Sequence, residues 1–298
     1  MNSSRNVAAS VKQRVLNLAK TRHRPFQELL QYYGMERFLY RLSQSVHREK
    51  YILKGALTLR AWNGSLARPT MDIDMLAITS NLEENIQQHI NDIMHTEVIS
   101  DGIVFHSESM CPQRITEGVS YHGLRVRFVG HIERTKIPMQ LDIGFGDSIY
   151  PMVESNTLPT LLDYPHPNVL CYSKESVIAE KFQVMIQLGL FNSRMKDFYD
   201  IWTLSRSFSF QGSTLQEAIR RTFVQRNTDI KPPIMAFSEV FIKDNQTMWS
   251  AFRKRMQQFD IPEDFQTINR GVQAFLMPIH NEVTATMCWS PDTGWTAH

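Results

Sequence analysis

The sequence predicts an α+β protein: a small mixed sheet with flanking helices, preceded by an N-terminal helical arm and followed by a helical C-terminal half. Three observations predict it. Strand-like alternation is confined to the middle of the chain, in MDIDMLAI (71–78), GLRVRFVGHIE (123–133) and KIPMQLDIGFGD (136–147). Helical spacing of apolar residues dominates before and after it. A Pro-rich stretch from Leu158 to Pro167 has the look of a linker or a domain edge, giving expected domains 1–165 and 166–298.

In chain order, NVAASVKQRVLNLAKT (6–21) reads as an amphipathic helix with Val7, Val11, Val15, Leu16 and Leu18 near one face. Pro25 suits the first turn of a second helix, PFQELLQYYGMERFLYRLSQS, with a break expected near Gly34. Tyr51-Ile52-Leu53 is an extended apolar run, and LTLRAW after Lys54-Gly55-Ala56 looks helical. The three alternating segments follow, with a surface helix in NLEENIQQHINDIMHT. The C-terminal half reads as helices in SKESVIAEKFQVMIQLGL, RMKDFYDIWTLSRS and STLQEAIRRTFVQR, with later helices over 234–242, 246–258 and 263–280. The tail from Thr284 shows no periodicity and is expected to be loosely ordered.

Composition narrows the class. Of 298 residues, 42% are hydrophobic, enough for a sizeable core, yet no run approaches the roughly 18 apolar residues of a membrane span. The N-terminus lacks the apolar stretch of a secretory signal, so a cytoplasmic protein is expected. Cys111, Cys171 and Cys288 form no CxxC pair and no metal-ligand spacing, and read as reduced structural thiols. The net charge of +2 is uneven: residues 1–54 hold eleven Lys or Arg against three acids, so the rest of the chain is acidic. Such a segment is either a polyanion-binding surface or a solvated helix face.

The chemistry is carried by carboxylates. Asp72 and Asp74, two apart on a strand, point to one face. Paired carboxylates repel unless a cation lies between them, and hard oxygen ligands suit Mg2+. Asp142 is the only charged residue in IPMQLDIGF (137–145), and an acid in such a strand needs a partner. That partner is either a metal shared with Asp72 and Asp74 or an arginine, Arg125 or Arg127, on the neighbouring strand. Three carboxylates are enough for two metal ions that clamp a phosphoryl or nucleotidyl displacement. Gly55, between a strand and a helix N-terminus, lets backbone approach phosphate. Ser65 and Arg68 precede the acids and are candidate phosphate contacts. Thr70 is a small strand residue or, less simply, a phosphorylation point beside the acids.

At this point YILKGALTLRAWNGSLARPTMDIDML resembles the nucleotidyltransferase toxins of the AbiEii type, the toxin halves of two-gene abortive-infection systems in bacteria. Their polymerase-beta-like motif, Lys-Gly-Gly/Ala, a helix, then Arg-x-Thr-x-Asp-x-Asp, is matched by Lys54, Gly55, Ala56, Arg68, Thr70, Asp72 and Asp74. Asp142 in PMQLDIGFGD takes the third metal carboxylate. Ala179-Glu180-Lys181 resembles a second motif whose Lys contacts nucleotide, Lys196-Asp197-Phe198-Tyr199-Asp200 a third, and Arg226 with Thr228 a fourth. The likeness spans roughly residues 26–230. Ala56 departs from the second Gly of many relatives.

The resemblance implies a polymerase-beta-like core and Mg2+-dependent transfer of a nucleoside monophosphate, with Mn2+ as a substitute metal. It implies a nucleoside triphosphate bound by Lys54, Gly55, Ser65, Arg68, Lys181, Lys196 and Arg226. Asp200 is either a general base or an orienter of Lys181. The implied acceptor is RNA, in some relatives the tRNA 3′ end, with blocked translation as the outcome, phage defence as the setting and an antitoxin from the adjacent gene as the restraint. The residues alone leave two rivals: nucleotidyl or phosphoryl transfer to a protein or small-molecule hydroxyl, and a non-catalytic RNA-binding module. Lys181, alone in the apolar VIAEKFQVMI, reads either as a triphosphate contact or as a salt bridge to Glu180 or Asp200.

Overall fold

Alternation along Thr135–Phe145 orients the sheet on which the acids stand. Ile137, Met139, Leu141 and Ile143 are buried, while Gln140 and Asp142 between them face the other way. The computed structural model describes residues 2–63, 68–117, 121–256, 261–280 and 285–297. It divides into two units, one of Met1–Gly146 with Glu154–Cys171 and one of Asp147–Val153 with Tyr172–His298.

The first unit contains helices α1 (Asn2–Thr21), α2 (Phe26–Gln44), α3 (Ala56–Asn63) and α4 (Glu83–Met94). Its strands are β1 (Tyr51–Lys54), β2 (Ile73–Ala77), β3 (Val104–Glu117), β4 (Tyr121–Ile132), β5 (Thr135–Phe145), β6 (Glu154–Thr157) and β7 (Asn168–Cys171). They form one mixed sheet in the order β3-β4-β5-β2-β1-β7-β6. β2 runs parallel to β5 and antiparallel to β1. β1 runs parallel to β7. The expected α+β class is what the chain adopts, with two strands of the sheet's β3-β4-β5 meander read correctly from the sequence and β3 missed.

The core lies between the apolar face of the sheet and the helices. α1 buries Ala8, Val11, Val15 and Ala19. α2 is continuous through Gly34, where a break was expected. Its glycine permits close packing on the sheet: a Cβ there would lie 3.0 Å from Met139 Sδ and 3.1 Å from Ile137 Cγ2. α2 also holds the Pro-rich stretch, which connects β6 to β7 inside this unit. The Glu36 carboxylate accepts from the Leu161 backbone N–H at 2.8 Å, and Arg37 donates to the Pro165 carbonyl at 2.9 Å.

Glu36 is 5% exposed, and burial pushes its carboxyl up to about 7 against the pull of Arg37. A carboxyl whose folded value is raised contributes stability that is complete below its unfolded value, near 4.3, and is lost as pH rises through about 7. Stability of the wild type is therefore expected to fall across that window by on the order of 1–3 kcal/mol, and Glu36→Gln to flatten the dependence. Denaturant titrations at several pH values check this; a Gln variant with the wild-type pH slope would contradict it.

The second unit is mainly helical: α5 (Lys174–Leu188), α6 (Met195–Ser207), α7 (Gly212–Gln225), α8 (Glu239–Met256) and α9 (Phe265–Leu276). The Ser173 side chain caps α5 by accepting from Ser176 N–H, and Asp264 caps α9 by accepting from Gln266 and Thr267 N–H. Phe198, Phe241, Trp249 and Phe265 form its aromatic centre, and Trp249 Nε1 donates to the Pro262 carbonyl at 3.0 Å. Within residues 285–297 the tail forms regular structure, contrary to expectation. β8 (Phe210–Gln211), β9 (Met287–Ser290) and β10 (Gly294–Ala297) make a three-stranded sheet in the order β10-β9-β8. Trp295 stacks on Phe275 and donates to its carbonyl, and Trp289 donates to the Ser205 carbonyl. Buried aromatic area, not local periodicity, fixes this segment.

Candidate active site

The sheet register brings the acids together. Asp74 stands beside Asp142 across the parallel β2–β5 ladder and beside Lys54 across the antiparallel β1–β2 ladder. Asp72 immediately precedes β2. One carboxylate oxygen from each of Asp72, Asp74 and Asp142 lies within 4.8 Å of the others, and all three side chains are half-buried.

Gly55 shapes this corner. It links β1 to α3 with φ +73°, a backbone region that only glycine enters without strain. A Cβ there would stand 2.0 Å from Asp74 Oδ2, so the carboxylate rests directly against the glycine. The Thr58 hydroxyl donates to the Gly55 carbonyl at 2.7 Å and fixes the first turn of α3. Gly55→Ala is expected to cost about 1–2 kcal/mol for the left-handed backbone and to displace Asp74. A displacement of that kind lowers transfer at least tenfold, since about 1 Å of misplacement can cost 10²-fold. Thermal melts and initial rates on the same preparation read both effects; unchanged activity would remove Gly55 from the site.

Two partners hold the acids. Arg125 donates to both oxygens of Asp142, Nε at 2.7 Å and Nη2 at 2.6 Å. The bond to Asp142 raises the guanidinium above its ordinary value, and the charges of Asp72 and Asp74 add to it. The arginine reading of Asp142's partner is thus present. It does not exhaust the site, because Asp72 and Asp74 converge with Asp142 on the same corner. Thr70 is buried, and its hydroxyl donates to the Asp72 carboxylate, which makes it an orienting group and not an accessible modification point.

Hard oxygen donors from three converging carboxylates fit a Mg2+-type ion. Arg68 is buried at the far end of the undescribed residues 64–67. Ser65 lies outside the described residues.

The remaining expected residues belong to the second unit. Lys181 Nζ donates to Asp197 at 2.6 Å and lies 2.8 Å from Asp200. The two acids are 1% and 0% exposed, and Arg194 adds a 2.7 Å bond to Asp197. Burial alone would raise the Asp197 carboxyl; Lys181 and Arg194 overcome it and hold it well below the usual carboxylate range. Lys196 is exposed on the first turn of α6. Arg226 ends α7 and donates to Asp147 at 2.9 Å and to Gln183 at 3.1 Å, with Glu180 3.4 Å away. Glu180 thus faces Arg226 and the Tyr172 hydroxyl, while Lys181 takes Asp200 and Asp197. Asp147 was missed from the sequence. Its only signal was its place at the end of GFGD, just past the strand that carries Asp142.

The family model described as "Nucleotidyl transferase AbiEii toxin, Type IV TA system" matches residues 37–270, well over half of the chain. That match makes the protein a nucleotidyltransferase. The chain belongs to the AbiEii toxin family. Among solved structures it is similar to JHP933 from Helicobacter pylori, at 14% identity and TM-score 0.50, covering 85% of this chain and 92% of that one. It is also similar to a candidate nucleotidyltransferase from H. pylori, at 13% identity and TM-score 0.49, covering 85% and 95%. At such identities the likeness concerns the fold. Among curated proteins, none matches. No helix among the described residues is long and apolar enough to cross a membrane.

Proposed function

We propose that this protein transfers a nucleoside monophosphate from a nucleoside triphosphate to a hydroxyl of an RNA, the 3′ end of tRNA, and so blocks translation until an antitoxin from the adjacent gene restrains it. The observation that supports this reading is the convergence of Asp72, Asp74 and Asp142 on one corner of the sheet, in a chain of a nucleotidyltransferase toxin family. Asp72, Asp74 and Asp142 would hold one or two divalent ions, Mg2+ or Mn2+. When bound, such ions neutralise triphosphate charge and lower the pKa of an attacking hydroxyl.

The chain's own residues set the geometry. Gly55 and Thr58 place the first turn of α3 beside the acids, where backbone N–H groups face phosphate oxygens. Thr70 fixes the Asp72 carboxylate and Arg125 fixes that of Asp142. In the reaction, the acceptor hydroxyl oxygen bonds to the α-phosphorus and its proton passes to water, the bond from that phosphorus to the α–β bridging oxygen breaks, and pyrophosphate leaves. Asp200, fully buried against Lys181, is assigned the positioning role and not that of a base.

The test incubates purified protein with total RNA, Mg2+ and each α-³²P-labelled nucleoside triphosphate in turn, beside an Asp72→Ala/Asp74→Ala variant. Label on a tRNA-sized band, lost in the variant, is expected. No label on RNA from any nucleotide would overturn the RNA acceptor and favour a protein or small-molecule hydroxyl. Release of nucleoside diphosphate in place of pyrophosphate would mark phosphoryl transfer.

A further inference from the structure

The basic N-terminal segment is not one free surface. Arg41 makes a bidentate pair with Asp101 at 2.7 and 3.0 Å, and Arg37, 0% exposed, is bound to the Pro165 carbonyl. Lys12 meets Glu133 and Arg14 meets Asp163. The first two are buried within the first unit, and the last two are exposed surface pairs. A different set converges on a cavity of about 370 Å³: Arg22 and Arg24 from the α1–α2 connection, Glu28 and Tyr32 from α2, Arg60 from α3, and Pro69.

Arg24 is matched by Glu28. Arg60 is not matched in this way. Its guanidinium lies over the Tyr32 ring, 4.1 Å from the centroid, and is near enough to the buried Glu36 to pull that carboxyl down, but no hydrogen bond to an acid or carbonyl is seen for it among the described residues. Stacking satisfies the face of a guanidinium and leaves its N–H edge directed at whatever fills the cavity. Arg22 is exposed and likewise has no acid partner among the described residues. Three guanidinium groups against one carboxylate, with a stacked arginine presenting its donors, make a pocket for a compact oxyanion with several acceptors.

We propose that this cavity is a phosphate site that holds a backbone phosphodiester of the RNA acceptor, with Arg60 and Arg22 as its donors and Arg24 adding charge. Its position suits that role. Pro69 lines the cavity and stands three residues before Asp72, so their Cα atoms are at most ~11 Å apart. A strand anchored there places its next nucleotides within reach of the acidic triad. The proposal rests on the RNA reading above and adds where the strand is gripped.

The experiment measures fluorescence anisotropy of a labelled RNA hairpin with a single-stranded 3′ end, over a salt series, for wild type, Arg22→Glu, and Arg22→Gln/Arg60→Gln. Arg22 is exposed, so its charge reversal is read without a folding penalty. Losing the grip on one phosphate is expected to lower the slope of log affinity against log salt by about 0.7 in the double variant, the value per neutralised phosphate for single strands. KM for RNA is expected to rise about tenfold or more, with KM for the nucleoside triphosphate unchanged.

A rise in KM for the triphosphate would assign the cavity to the nucleotide and overturn the proposal. Wild-type affinity and salt slope in both variants, in a protein that labels RNA, would overturn the site alone. A wild type that neither labels nor binds RNA would overturn the site together with the RNA reading.

Discussion

Asp74→Asn is expected to lower nucleotidyl transfer by about 10³-fold or more, roughly 4 kcal/mol of barrier, without lowering the melting temperature of the metal-free protein. The two halves of this expectation have one origin. Three carboxylates whose oxygens lie within 4.8 Å repel one another. At about 4 Å, each such pair costs between roughly 1 kcal/mol in water and 4 kcal/mol near a protein surface. Arg125 bonds directly to Asp142 and its charge reaches Asp72 and Asp74 more weakly, and Lys54 stands opposite Asp74. Removing one negative charge relieves repulsion, so an acid with a purely structural role and one with a metal-binding role predict opposite signs for stability.

Adding Mg2+ completes the test. A ligand bound by the folded state alone raises the melting temperature, so wild type is expected to gain and Asp74→Asn to gain little. Thermal melts in chelator and in Mg2+, with initial rates from labelled triphosphate, read all three quantities. Activity within tenfold of wild type would remove Asp74 from the site.

What the sequence made legible follows from how local the signal was. Asp142 stood out because a lone charge in an alternating apolar strand demands a partner, and the strand alternation placed it on the same face as Gln140. The identity of its observed partner, Arg125, required the β4–β5 register, which lies in pairing and not in composition. β3 was missed because VFHSESMCPQRITE mixes polar residues on both faces, includes Pro112, and shifts register between His106 and Cys111. The tail was misread because β9 pairs with Phe210–Gln211, over seventy residues earlier, and its tryptophans pack on Phe275. The basic segment misled in the same way. A charge count cannot reveal that Arg41 meets Asp101 sixty positions later, nor that Arg60, outside the segment, joins Arg22 and Arg24.

Lys181→Met is expected to destabilise the second unit by about 3–5 kcal/mol at neutral pH, because it removes the ammonium that the buried Asp197 and Asp200 share and leaves Arg194 as the cation bonded to Asp197. The sign of the pH dependence separates this from a loss of packing. In the wild type, Asp197 is held below its unfolded value near 3.9. Its stabilising contribution is therefore complete above that value and is lost as pH falls below it. In the Met variant a proton can replace the missing charge, so the gap between variant and wild type narrows as pH falls from 7 toward 5.

Adding Asp200→Asn to Lys181→Met removes one of the two buried carboxylates and recovers part of the loss, a coupling that a double-mutant cycle measures directly. A lysine that served the nucleotide alone would leave the nucleotide-free protein as stable as wild type. Equal unfolding curves for Lys181→Met and wild type would show that this ammonium carries no structural weight, leaving the nucleotide as its remaining anion.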